Sequence, residues 1–139
     1  MVEAVVRSED ALRVQLAICA SNVIKHDFPA RWPAVVDQVS IHLATGEPTA
    51  CFGALVVLYQ LVKNYEYRKR EDRLPLHEAM RMLMPQMYEI MTKCLEADVN
   101  SAEAAEIRKI NLKIFFALTQ YILPLELLDN DTFTRWIEV

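Results

Sequence analysis

The chain has 139 residues, 53% of them hydrophobic and 24% charged, with a formal net charge of −4. That balance excludes a disordered chain, and the acidic excess excludes a general nucleic-acid binder, which needs cations to meet phosphates. Glycine occurs only at Gly46 and Gly53, so hairpin turns that require positive φ are scarce and an all-β fold is excluded.

In chain order, Leu12, Leu16, Cys19, Val23 and Ile24 recur at helical spacing and predict a helix over 9–27. Phe28-Pro29 stops it, because proline disfavours helical geometry in the residue before it. Trp32, Val35, Val36, Val39 and Leu43 predict a second helix over 31–44, broken by 45–48. The third, 49–68, is apolar almost all round and must be covered on several sides. The fourth runs over 75–97, with Leu76, Met80, Leu83, Met84, Met87, Ile90, Met91 and Cys94 along its seam. Met82 lies off that stripe and is expected to be exposed. Ser101 is placed to cap a fifth helix with Ile107, Ile110, Ile114, Leu118 and Tyr121 on its apolar face. A sixth starts at Asp131 or Thr132 and carries Phe133, Trp136 and Ile137.

These segments group as helix pairs over 9–44, 48–97 and 102–139, a unit of about forty to fifty residues in the HEAT/armadillo size class. The expected fold is all-α: a right-handed superhelix of three antiparallel helix pairs, excerpted from a longer solenoid. Its uncapped ends would favour self-association.

The residues offer no catalytic set. His26, His42 and His77 fall in different segments and read as surface or capping groups. Gly-rich phosphate loops, H-E-x-x-H and EF-hand spacings are absent from the sequence, so no enzyme, cofactor or metal site is expected. Cys19, Cys51 and Cys94 are widely spaced inside apolar stretches and read as buried free thiols of a reducing compartment. Glu3, Arg7, Glu9 and Asp10 argue against a signal peptide at the start. The longest apolar run, 51–62, falls short of the ~20 residues a membrane span needs. A cytosolic or nuclear chain without membrane contact is expected.

The charged run 63–73 reads as a solvated loop whose acidic members dilute its basic field, with Tyr65 and Tyr67 packing it back. Helix four has a polar face on which Glu78, Glu89 and Glu96 align, flanked by Arg81 and Lys93. The second helix of each pair lines the concave side of a HEAT stack, so this face points inward there, with Asp37 and Ser40 in the equivalent place on helix two. These seven residues are the candidate protein contacts.

One stretch is more specific than any of these patterns: Ile24-Lys25-His26-Asp27-Phe28-Pro29-Ala30-Arg31-Trp32-Pro33. It resembles the D-[FY]-P-x-x-W-P turn in early HEAT repeats of importins and exportins, the importin-beta (karyopherin) superfamily. In that corner Pro29 ends one helix, Pro33 fits the first turn of the next, and Asp27, Phe28 and Trp32 complete the motif. The stretches 58–67, 118–127 and 133–137 are similar to the importin seven and importin eight branch.

The resemblance implies the third to fifth HEAT repeats of a nuclear import receptor. Such a receptor carries basic cargo, binds Ran-GTP and nucleoporins, and shuttles between cytoplasm and nucleus through the pore. An exportin, and a HEAT-repeat scaffold without a GTPase cycle, stay open as alternatives.

Overall fold

The computed structural model describes residues 10–28, 34–45, 48–66, 68–96 and 102–119. Among these residues there are five α-helices and no strand: α1 (Asp10–Asp27), α2 (Val35–Ala44), α3 (Pro48–Tyr65), α4 (Leu74–Glu96) and α5 (Ala102–Thr119), with a 3-10 turn at Arg70–Arg73 before α4. The expected sixth helix, Pro29, Trp32 and Pro33 of the corner, Ser101 and Tyr121 lie outside the described residues.

The helices form two layers. α3 packs against α1 on one flank and α5 on the other, while α2 and α4 lie side by side in a second layer that rests on α3 and α5. This alternation is the HEAT-type stack expected from the pairing of segments.

α3 explains the architecture. Ala54, Leu55, Val57, Leu58, Leu61 and Val62 are all buried, which no two-helix hairpin could achieve. Pro48 opens it at the position where a missing N–H is harmless. Along α4 the expected seam is buried, with Leu76, Met80, Leu83, Met84, Met87, Ile90 and Met91 all inward and Met82 42% exposed. Pro85 falls inside α4 at an exposed position, and without an N–H it cannot donate to the Arg81 carbonyl one turn earlier.

α1 corrects the predicted phase. Its buried positions are Arg13, Ala17, Ala20 and Ile24, whereas Leu12 and Cys19 are exposed. The helix carries apolar residues on all sides, so spacing alone does not choose a face. The small Ala17 and Ala20 do choose it, by letting α3 approach closely. Cys51 is buried as expected, its thiol directed at the Leu43 carbonyl at 3.7 Å, while the Cys94 side chain lies outside what is described.

Candidate protein-interaction face

The outer side of the α2–α4 layer is built around one cross-helix link. The Ser40 hydroxyl donates to Gln86 Oε1 at 2.9 Å, and Gln86 Nε2 donates back to the Ser40 carbonyl at 3.3 Å. Ser40 is therefore half-buried and committed to a neighbouring helix, which corrects its reading as a free contact residue. Gln86 was missed by sequence reasoning. Its only signal was a polar side chain on the flank of an apolar seam.

That link sets the register of the face. α2 and α4 are alternate members of an up-and-down succession and run the same way. A helix turns about 100° per residue, so stepping one residue on from Ser40 and one back from Gln86 turns Ile41 and Pro85 toward the same solvent side. Both are exposed, Ile41 by 64%. One turn before the link, Asp37 and Met82 fall at a common level and are also exposed.

The charges are more mixed than an aligned row of carboxylates suggests. Glu78 and Glu89 both lie on the exposed side of α4, but Glu89 is paired with Lys93 at 3.0 Å. The pair is exposed and one helical turn apart, so it contributes only a few tenths of a kcal/mol, yet it balances the Glu89 charge locally. Asp37, Glu78 and Arg81 make no ion pair among the described residues and are exposed. The Glu96 side chain lies outside the described residues. The uncompensated carboxylates are thus at the amino-terminal end of the face.

A second polar cluster sits at the α3–α4 junction, where the run 63–73 is only in part the solvated loop expected: Lys63, Arg68, Lys69, Glu71 and Asp72 are exposed and Tyr65 packs inward, but two charged groups do not face water. Arg73 is 1% exposed and Glu66 is buried with it. The guanidinium donates through Nε to the Tyr65 carbonyl at 3.1 Å and through Nη2 to the Glu66 carbonyl. It thereby caps the C-terminal carbonyls of α3, where the helix dipole also favours a cation, and the Tyr65 carbonyl accepts from the Arg68 N–H as well. Burial lowers the Arg73 pKa, and the nearby Glu66 charge opposes that shift. Lys63 pairs with the Glu66 carboxylate.

Tyr65, pushed up in pKa by burial and held back by Arg68, meets Phe28 edge-on at 6.3 Å. Phe28 of the corner motif is thus pinned to the end of α3, and Asp27 closes α1. His77 is buried one turn beyond Arg73, which corrects its surface reading.

On the other layer, an open cleft of about 520 Å³ is lined by α1, α3 and Glu106 of α5. Val14, Ile18, Phe52 and Val56 line it, and Arg13 lies 5.0 Å over the Phe52 ring. No group of three or more potential metal ligands occurs among the described residues. No helix among them is long and apolar enough to cross a membrane.

This stack with its corner has known relatives. The family profile described as Exportin 1-like protein matches residues 9–136. The chain belongs to the exportin 1-like family, within the importin-beta superfamily. Human Importin-8 is 44% identical over 139 residues, covering 100% of this chain and 13% of that protein. Importin-8 of Danio rerio is 41% identical over the same span, again 13% of its length. Exportin-2 of Drosophila melanogaster is 28% identical over 141 residues, 94% of this chain and 14% of that protein. The chain therefore spans about an eighth of the relatives it matches. No solved structure matches it.

Proposed function

We propose that this chain is a segment of a nuclear transport receptor and that its α2–α4 face contributes to holding basic protein cargo during Ran-GTP-regulated import. Two supports combine. The family is one of transport receptors rather than enzymes, and relatives matched across the whole chain are named Importin-8. The observation that carries the cargo reading is the pair of exposed carboxylates without an ion pair among the described residues, Asp37 and Glu78, on the layer formed by α2 and α4. Side chains of this kind attract a cationic partner over a Debye length and release it as salt rises. In the whole receptor, nucleoporins and Ran-GTP would be further partners, and the protein would shuttle between cytoplasm and nucleus.

The test uses the full-length receptor that contains this chain. Cargo affinity is measured against salt for the natural protein and for Glu78→Lys/Glu89→Lys/Glu96→Lys combined with Asp37→Lys. The expected result is on the order of tenfold weaker binding and a shallower salt slope. Equal affinities would remove the acidic-face reading.

Export is a second reading, favoured by the Exportin-2 relative. Adding Ran-GTP decides between them, since it dissociates cargo from an importer and promotes cargo binding to an exporter.

A further inference from the structure

We infer that the groove between α2 and α4 is an anchor site for a large apolar side chain carried on a basic peptide segment. The face would then select segments in which an aliphatic or aromatic residue lies next to lysine or arginine, rather than positive charge alone. This rests on the cargo reading above and specifies the class of segment it takes.

Four observations place the anchor. Ile41 and Met82 are 64% and 42% exposed, and Pro85 is exposed between them in register. The paired bonds between Ser40 and Gln86 hold the two helices together directly beneath these side chains. The apolar walls are therefore formed before any partner arrives, which limits the ordering cost of binding. Asp37 stands at the level of Met82, and Glu78 one turn further toward the helix N-termini. Both carboxylates are without an ionic partner among the described residues.

The charge pattern then fixes the chemistry of the occupant. A segment with cations only would leave Ile41, Met82 and Pro85 against its hydration shell and gain nothing from them. A segment with apolar groups only would strip water from Asp37 and Glu78 without replacing it, at a cost. A segment carrying both satisfies both parts. The arrangement is also directional. At the carboxyl-terminal end of the face, Lys93 already neutralises Glu89; at the amino-terminal end the exposed Arg81 lies on the edge of α4 away from α2, which leaves the α2 side of Glu78 open to a cation. The cation therefore belongs over Asp37 and Glu78, with the apolar anchor toward Ile41 and Pro85.

The test uses fluorescence anisotropy on the full-length receptor with two labelled synthetic peptides. One is lysine-rich and carries two leucines; the other has those leucines replaced by serine. The natural protein should bind the leucine peptide on the order of tenfold more tightly, as burial of one or two aliphatic groups gives. Ile41→Ser/Met82→Ser should abolish that preference while leaving the serine peptide's affinity as it was. Asp37→Lys/Glu78→Lys should weaken both peptides. All four positions are on the surface, and far-UV circular dichroism checks that the variants keep their helix content.

If the natural protein binds both peptides equally and only the charge reversal weakens them, the anchor is overturned and the cargo reading stands. The anchor is likewise overturned if Ile41→Ser/Met82→Ser keeps the preference. If neither peptide binds, both ideas fall together.

Discussion

Two of the polar junctions between helices among the described residues behave as opposites. At the α3–α4 junction, Arg73 is shut away from water and spends its donors on the carbonyls of Tyr65 and Glu66. At the α2–α4 junction, Ser40 and Gln86 exchange two bonds at a half-exposed site, with Ile41, Pro85 and Asp37 open to solvent around them. A charge sealed inside has no alternative partner, so its bonds hold the repeat together. A neutral link at the surface is replaceable by water, so its worth lies in the register it gives to the side chains above it. The difference separates a region that maintains the stack from one available to a partner.

The comparison breaks most sharply at Arg73. Arg73→Met keeps much of the aliphatic bulk but takes the guanidinium donors from the Glu66 and Tyr65 carbonyls, the second of which keeps only the Arg68 N–H, and leaves Glu66 without its nearby guanidinium. The expected loss is about 3 kcal/mol of unfolding free energy, read by urea denaturation monitored at the helix band. Arg73→Lys should recover only part of it, because a single ammonium cannot reproduce the forked donors. A loss below about 0.5 kcal/mol would show that this junction is as replaceable as the other.

Much of the layered fold was legible from spacing. The five helices begin and end within a few residues of expectation, and the α4 seam with its outlying Met82 follows from period alone. α2 is shorter than predicted, starting at Val35. What could not be read is whatever depends on a neighbour distant in sequence. The run 63–73 contains Arg68, Lys69, Arg70 and Arg73 as near equivalents, and nothing local says which one turns inward to meet the end of α3. Arg13 is similar: its burial depends on the Phe52 ring in another helix. Ser40 looked like a contact residue because a helical wheel for α2 does not contain Gln86. The candidate site was therefore legible as a polar face, while its apolar part at Ile41 was overlooked beside the carboxylates.

At the surface junction the expected effects are smaller. Ser40→Ala removes a hydroxyl bond, but Gln86 stays half-exposed and turns to water. The loss should be about 1 kcal/mol. A double-mutant cycle with Gln86→Ala should return a coupling of about the same size, since each side chain bonds mainly to the other residue. Zero coupling would mean that the two helices are held in register by their apolar contacts alone, and the anchor groove would lose its fixed floor.

The smallest effect is expected at the Glu89–Lys93 pair. The two groups are separated by 3.0 Å, with side chains 66% and 63% exposed, so water and salt screen most of their attraction. Lys93→Ala should change stability by about 0.3 kcal/mol. Its consequence for binding should be larger than that, because it frees the Glu89 carboxylate on the partner-facing side. A lysine-rich peptide should then bind more tightly at low salt and lose the gain as salt is raised. If Lys93→Ala leaves both the affinity and its salt slope unchanged, Glu89 is too far from the bound segment to matter, and the partner's cations are confined to the Asp37–Glu78 end.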